Sequence, residues 1–233
     1  MKPDSLKELQ GAVAALSIMN DLNPEEAENV RLAAIDRIKA AIFMETPQPR
    51  GKFNLYDYCY DEMDTRPALC GVFHDEGWRV ATDSHVLVAV KDDYDEALEH
   101  KIIGKDGREV MAKYPKWKSV IPTDLNGYDG HAIDTAKVYD LVRKVKAENK
   151  LAGKYGEKAR GVVKVGKFFF KEDKLAQACR FMDHYGITEL RTYERGAAKA
   201  VAPDGSLCIV MPMYLDEKEW KNPTIKSIHL EFA

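Results

Sequence analysis

Residues 162–211, VVKVGKFFFKEDKLAQACRFMDHYGITELRTYERGAAKAVAPDGSLCIVM, contain the pattern that decides the fold class. Val162–Phe170 is rich in β-branched and aromatic residues and predicts a strand. A helix that ends near Gly186 is expected next. Its apolar stripe consists of Leu175, Ala178, Cys179 and Met182. Three strands complete the unit, over Ile187–Tyr193, Ala197–Ala202 and Leu207–Met211, with a turn at Pro203-Asp204-Gly205 between the last two.

This βαβββ order predicts an α+β fold with helices on one face of a mainly antiparallel sheet. Val86–Val90 is a continuous apolar run of strand length, which indicates a strand buried on both faces. Strands are also predicted over Phe53–Tyr60, Leu69–Phe73 and Trp78–Thr82, with a turn at Asp75-Glu76-Gly77 and a hairpin around Lys105-Asp106-Gly107.

The first 45 residues predict helices. Apolar residues recur at helical spacing at Leu6, Leu9, Val13 and Leu16. A second helix is expected to begin with Asn23 as N-cap and Pro24 at the first helical position. Its buried stripe would be Leu32, Ile35, Ile38 and Ile42. The prolines of 46–51 end it.

The predicted organisation therefore has three parts. Residues 1–48 form an N-terminal helical appendage, and residues 50–215 form the body. The body is divided into units of about 50–122 and 123–215. Residues 216–233 form a C-terminal extension that contains a strand.

Composition is that of an ordinary globular protein, with 45% hydrophobic and 31% charged residues in 233. No apolar run is long enough to span a membrane, and no signal-peptide core opens the chain, so a cytoplasmic location is expected. The four cysteines stand singly and the histidines are scattered, which favours reduced, mostly buried thiols. The sequence predicts no metal site and no cofactor.

The net charge of −3 hides a local asymmetry. Residues 137–160 contain eight basic and three acidic residues, a net charge of +5, which leaves −8 for the rest. Such a patch is typical of either a solvated helix face or a surface that follows a phosphate backbone.

Three separate stretches carry a family resemblance: ATDSHVL at 81–87, YPKWKSVIP at 114–122 and IVMPMYL at 209–215. In this order they resemble the segments that build the partner-peptide groove of the bacterial DNA polymerase III β sliding clamp, a member of the DNA clamp superfamily. The resemblance covers about residues 66–91, 108–122 and 162–215. It implies a reduced and diverged DNA-clamp-like fold built from βαβββ units.

Carried over position by position, the resemblance implies a hydrophobic peptide-binding groove. Its residues would be Thr82, Ser84, His85, Leu87, Pro115, Val120, Ile209, Val210, Met211, Pro212, Met213 and Leu215. Ser84 stands where the clamp usually has glycine, and Val86, Ser119 and Tyr214 stand where it has arginine. The basic rim is therefore reduced. Taken alone, Thr82–His85 is also typical of a tight turn. The pair Met211 and Met213 is also typical of core residues at the end of a strand.

The predicted function is non-catalytic binding of replication or repair partner peptides, with non-specific DNA contact and a homo-oligomer as further expectations. The residues expected to contact DNA phosphates are Lys137, Arg143, Lys144, Lys174 and Arg180. Asp83, Ser84 and His85 are the residue types of a catalytic triad, but adjacent residues on one turn cannot form its proton relay. The alternatives are a monomeric decoy or adaptor of a phage or mobile element, and a structural relic with a filled groove.

The C-terminal segment shows strand alternation. Ile228, Leu230 and Phe232 would share one face. An added structural strand is the favoured interpretation, and a tail that docks in a groove and gates access is the alternative.

Overall fold

Backbone hydrogen bonds in the computed structural model join eight strands into one antiparallel sheet and three into a smaller one. The structure describes residues 3–19, 24, 26–31, 34, 38, 53–61, 65–91, 94–124, 127–154, 156–194, 196–215, 217–221 and 226–232. The strands are β1 (Gly71–Asp75), β2 (Trp78–Thr82), β3 (Val86–Val90), β4 (Ile102–Gly104), β5 (Asp129–Ala132), β6 (Arg160–Val165), β7 (Phe168–Lys171), β8 (Glu189–Thr192), β9 (Ala198–Val201), β10 (Leu207–Val210) and β11 (Ser227–Phe232). The helices are α1 (Pro3–Ser17), α2 (Thr135–Leu151), α3 (Glu172–Tyr185) and α4 (Glu217–Lys221).

The large sheet has the order β4-β1-β2-β3-β10-β9-β8-β5. Every pair in it is antiparallel, so the predicted α+β class is confirmed. Strands β3 and β10 pair through Val86–Val210 and Leu87–Ile209, which joins the two predicted units in one sheet. The division into units of about 50–122 and 123–215 stays a prediction.

The two central strands are buried on both faces, as the apolar run of β3 predicts. Val86, Val88 and Val90 belong to the core beneath α2 and α3. Leu87 and Ala89 belong to a second core, beneath the segment that contains Trp117. The segment over the second core is what forms one wall of the candidate site.

Helix α3 ends at the residue that the sequence indicates. Gly186 has φ 65°, and its N–H donates to the carbonyl of Asp183. A left-handed residue at this position favours glycine and closes the last turn. Helix α2 begins after Asp134, whose carboxylate accepts the N–H of Lys137. The two helices pack side by side on one face of the sheet.

Two strand predictions are wrong. Residues 53–60 do not form a strand; Leu55–Tyr58 is a 3₁₀ helix, because the side chain of Asn54 accepts the N–H of Tyr56 and Leu55 and Tyr58 turn inward together. Val162–Phe170 is not one strand but the hairpin of β6 and β7. Gly166, with φ 55°, supplies the left-handed turn between them.

One further strand boundary differs from the prediction, and two predicted turns are confirmed. Leu69–Phe73 is not a single strand, since Pro67–Leu69 is a 3₁₀ helix and β1 begins at Gly71. The turn at 75–77 is confirmed, with Glu76 and Gly77 both at positive φ. The hairpin around 105–107 is confirmed by the N–H of Gly107, which donates to the carbonyl of Gly104.

Helix α1 confirms the first predicted helix, and residues 26–31, 34 and 38 are also helical. Asn23, Leu32, Ile35, Ile42 and residues 46–51 lie outside the described residues. No helix among the described residues is long and apolar enough to cross a membrane. Cys70, Cys179 and Cys208 are buried, in agreement with the expectation from the sequence.

The C-terminal segment is a strand of the small sheet. Strand β11 pairs in parallel with β6, in the order β11-β6-β7. Phe232 is buried in the main core, and Ile228 and Leu230 pack against it. The predicted shared face is therefore confirmed. On the other face, the ring of His229 stacks on Trp220 at 4.0 Å between centroids.

We expect Phe232→Ala to lower the free energy of unfolding by about 3 kcal/mol, because the change removes a buried aromatic ring. Glu231→Ala, at an exposed position on the same strand, should lower it by less than about 1 kcal/mol. Urea denaturation of both variants measures the difference. Equal effects would contradict a structural role for the tail.

Candidate peptide-binding groove

The turn between β2 and β3, residues 82–85, forms the first wall of the candidate site. The hydroxyl of Thr82 donates to the carbonyl of Val86 at 2.7 Å and accepts the N–H of Ser84 at 3.0 Å. The carboxylate of Asp83 accepts the N–H groups of His85 and Val86 at 2.9 and 2.8 Å. These local bonds hold the side chains of Ser84 and His85 outward, where both are exposed.

Asp83 is buried and paired with a distant helix. Its second carboxylate oxygen lies 2.5 Å from the ammonium of Lys174 on α3. Burial raises the pKa of Asp83, but the hydrogen bonds from Lys174 and from the two N–H groups outweigh it and lower the pKa below its usual range. Ionised Asp83 therefore contributes stability above its unfolded pKa, and this contribution is lost as the pH falls through the lowered value.

Ser84 adopts a backbone conformation that favours glycine, with φ 76°. The guanidinium of Arg66 donates to its hydroxyl at 2.7 Å. The turn keeps its shape although the residue at its tip is not glycine, because the Asp83 and Thr82 bonds hold it on both sides.

The second wall is the segment of residues 110–121. Trp117 is buried, and its indole N–H donates to the carboxylate of Asp75 at 2.8 Å. Tyr114 stacks on Phe73 with 4.5 Å between ring centroids. Two aromatic anchors therefore fix this segment against the sheet, and they leave Val120 50% exposed at its end.

The third wall is the end of β10. Ile209 is buried in the second core, whereas Met211 is 44% exposed. The N–H of Met211 donates to the carbonyl of His85 at 2.8 Å. This bond ties the end of β10 to the turn of residues 82–85, although the two are far apart in the chain.

The three walls enclose an open pocket of about 330 Å³. Eight of the twelve predicted groove residues line it: Thr82, Ser84, His85, Leu87, Pro115, Val120, Ile209 and Met211. Leu69, Val86, Lys116 and Trp117 line it as well. None of these four is among the predicted groove residues, although Val86, Lys116 and Trp117 lie inside the three stretches that carry the resemblance. Whether a peptide binds here stays a prediction.

Four predicted groove residues lie outside this pocket. Val210 is fully buried in the opposite core, because side chains alternate along β10 and Ile209 already faces the groove. The N–H of Met213 donates to the carbonyl of Phe169, which takes the chain towards β7. Pro212 and Leu215 are half-buried beyond the end of β10.

A second pocket of about 430 Å³ continues from the first. Val120 and Met211 line both pockets. Tyr193 and Ala197 line only the second. The two exposed apolar side chains therefore lie at the junction of one longer depression.

The five residues expected to contact DNA lie on the adjacent helices α2 and α3. Their surroundings differ. Lys137 and Arg143 pair with acidic residues one turn away, Asp134 and Asp140, and Arg180 lies 3.9 Å from Asp57. Lys144 is exposed. Lys174 faces the groove turn instead of open solvent, with its side chain 22% exposed.

One cluster of the described residues has metal-ligand chemistry. Donor atoms of Asp75, Glu99 and His100 lie within 4.8 Å of one another. The carboxylate of Asp75 already binds Trp117 and lies 3.2 Å from the ammonium of Lys118. A cation at this position would compete with Lys118, so the cluster is better explained as an anchor of the second wall.

No protein-family model matches the chain, and no curated protein matches it in sequence. Solved structures do match it. The chain resembles bacterial DNA polymerase III β sliding clamps. This is the family that the three sequence stretches resemble.

The β subunit of Caulobacter crescentus DNA polymerase III is 16% identical, with a TM-score of 0.49 over 69% of this chain and 63% of that one. The β subunit of Thermotoga maritima is 14% identical, with a TM-score of 0.46 over 69% and 61%. The sliding clamp of Bartonella birtlesii bound to griselimycin is 13% identical, with a TM-score of 0.49 over 69% and 62%. The chain therefore spans less than two thirds of these clamps.

We expect Ser84→Gly to be more stable to urea than Ser84→Ala by about 1 kcal/mol, because glycine adopts the left-handed conformation without strain. Both variants lose the hydroxyl that binds Arg66, so the difference between them measures only the cost of the left-handed backbone at residue 84.

Ser119 is the matched control, because it is exposed and its φ is not positive. At that position, the glycine variant should be the less stable one. A Ser84→Ala protein as stable as Ser84→Gly would show that the turn carries no strain.

Proposed function

We propose that the depression between the 82–85 turn, the 110–121 segment and the end of β10 binds an extended segment of a partner protein of replication or repair. The observation that carries the proposal is the convergence of three distant stretches around one open apolar pocket. Leu87 and Ile209 form its floor, and Met211 and Val120 stand exposed above it. Apolar concave sites with a few polar groups at one end are typical of ligand sites.

The chemistry of the pocket indicates the kind of peptide it would take. Apolar side chains would cover Met211 and Val120, and the flexible thioether of Met211 can repack around different partners. His85 and Lys116 supply polar groups at the rim. Val86 and Ser119 carry no charge, and the cations beside the pocket are Lys116, which lines it, and Arg66, which is bound to the Ser84 hydroxyl. We therefore expect weaker binding of acidic-flanked peptides than in clamps with a full basic rim.

A non-catalytic role fits the same geometry. The hydroxyl of Ser84 accepts a hydrogen bond from Arg66, and the carboxylate of Asp83 binds backbone N–H groups and Lys174. Ser84 and Asp83 are thus each bound to groups other than the ring of His85, and the three neighbours do not form a nucleophile relay. An open pocket of about 330 Å³ supports binding over the alternative of a filled groove.

Griselimycin and a labelled generic clamp-binding peptide are suitable probes for the groove, since griselimycin is bound by the Bartonella birtlesii clamp. We expect Met211→Ala and His85→Ala each to weaken binding about tenfold, because contacts at the centre of a small interface dominate its affinity. Fluorescence titration measures the effect.

Met111→Ala is the matched control for the titration. Met111 is 88% exposed and does not line either groove pocket. Its removal should leave the affinity unchanged. If the wild-type chain binds neither probe, or if Met111→Ala weakens binding as much as Met211→Ala does, the proposed groove is wrong.

We also propose non-specific contact of α2 and α3 with DNA phosphates. Helix α2 carries five basic and two acidic residues, and its exposed face includes Lys137, Arg143 and Lys144. Binding of this kind depends on counterion release and therefore on salt concentration. A solution mass measurement separates an oligomer that could surround DNA from a monomeric decoy or adaptor that competes for partner peptides.

Lys144→Gln should weaken binding to a short DNA duplex and reduce the slope of log affinity against log salt by about 1. The control is Lys113→Gln, at an exposed lysine of the segment on the opposite face of the sheet. Fluorescence anisotropy over a salt series measures both. An unchanged slope for Lys144→Gln, or an equal loss for Lys113→Gln, would contradict contact through α2.

A further inference from the structure

Helix α1 leaves an apolar stripe exposed to solvent. The side chains of Leu6, Val13 and Leu16 are 43%, 68% and 40% exposed, and Leu9 between them is half-buried. Of the ten large apolar side chains that the described residues expose, four lie between residues 6 and 18. A concentration of exposed apolar side chains on a water-soluble domain marks a surface that binds another molecule.

The stripe does not face the protein's own core. A helix on the surface of a globular protein normally turns its apolar stripe towards the core. In α1 the buried position is Ala12, which is 1% exposed, whereas the larger side chains of Val13 and Leu16 point away from the body of the chain. Helix α1 therefore packs through a small residue and keeps its larger apolar side chains free.

The spacing of the stripe is that of a coiled coil. Leu6, Leu9, Val13 and Leu16 follow one another at intervals of three, four and three residues. These intervals place the four residues at positions a, d, a and d of two consecutive heptads. Such a seam fits a partner helix with the same spacing.

Three properties of the stripe favour a second copy of α1 as that partner. Residues at a and d of two identical helices interlock, because each side chain enters a hole between four residues of the other helix. Valine at a with leucine at d, as at Val13 and Leu16, favours pairs of helices. The flanking positions Gln10, Ala12 and Ser17 carry no charge, so two copies meet there without repulsion between like charges.

We propose that α1 pairs with α1 of a second copy of this chain, and that the four residues of the stripe form the seam. The same surface is used by both copies, so association ends at a dimer. This surface is separate from the groove, because the described residues that line the two groove pockets all lie outside α1. The dimer carries two grooves in one particle.

The length of α1 sets the strength that we expect. The helix has 15 residues, and at about 1.5 Å per residue it is about 22 Å long. Two helices of this length bury less than the about 1,600 Å² of a standard protein interface. The dimer should therefore form and dissociate in the micromolar range of chain concentration.

Sedimentation equilibrium of the full chain over a micromolar concentration series is the first measurement. The apparent mass of the wild type should rise from 26.3 kDa towards twice that value. Val13→Glu should weaken association at least about tenfold, because two carboxylates would face each other in the seam. Glutamate is a better helix former than valine, so this loss would not result from unfolding of α1.

Ala14→Glu is the matched control, because it places the same charge on the next residue of α1, which is exposed and lies at position b, away from the seam. Leu151→Glu is a second control, at an apolar side chain of α2 that is 82% exposed. Both variants should dimerise as the wild type does. Val13→Ile keeps a β-branched residue at a and should also retain the dimer.

Amide hydrogen exchange locates the interface without a measurement of mass. Exchange in α1 should slow as the wild-type concentration rises, because the dimer protects the helix from local opening. The same amides should show no dependence on concentration in Val13→Glu. Exchange in β3 and β10 should not change with concentration in either protein.

A wild-type chain that stays monomeric throughout the series would overturn the proposal. A dimer that Val13→Glu does not weaken, or that Ala14→Glu weakens equally, would show that the seam is elsewhere. Vesicles of phosphatidylcholine and phosphatidylserine test a lipid surface as the alternative partner. A monomeric wild type that binds these vesicles, with binding lost in Val13→Glu, would assign the stripe to lipid and overturn the pairing of α1.

The proposed function of the groove is tested separately. Val13→Glu should bind the labelled clamp-binding peptide with the affinity of the wild type, because α1 contributes none of the described residues that line the groove. Loss of the dimer with unchanged peptide affinity is the expected result. If the wild type dimerises through α1 but binds no peptide, the groove proposal fails and the pairing of α1 stands.

Discussion

Burial of the two central strands on both faces is the constraint on which the rest of this structure depends. Strands β3 and β10 pair with each other and carry apolar side chains in both directions. Each face must therefore be covered by another layer, because exposed apolar area of this extent is unfavourable in water. Helices α2 and α3 cover one face, and the segment that contains Trp117 covers the other.

The candidate groove follows from incomplete cover of the second face. Trp117 and Tyr114 anchor the covering segment over Leu87 and Ile209, but Val120 and Met211 stay exposed beside the pocket. The depression at this edge is apolar because its floor is the surface of the core. Its shape depends on polar bonds at the rim, above all those made by Asp83.

Local signals predicted much of the fold. The apolar run of β3, the turn at 75–77 and Gly186 at the end of α3 all occur where the sequence placed them. The errors have local causes as well. Asn54 caps a 3₁₀ turn within an aromatic run that resembles a strand, and Gly166 divides a run whose composition predicts one strand. In both cases, one residue with special backbone chemistry outweighed the composition of its neighbours.

The sequence by itself determined the α+β class, the helix and three strands that run from α3 to β10, and the three stretches that meet at the groove, because these depend on periodicity and on short motifs. Only the tertiary structure decided which side chains face the pocket. Val210 was excluded by strand alternation, and Trp117 was added by its bond to Asp75. The tertiary structure alone paired Lys174 with Asp83, 91 positions away in the chain. No local pattern encodes such a pair, because it forms only when α3 packs across the end of β3, and burial then gives the pair its strength.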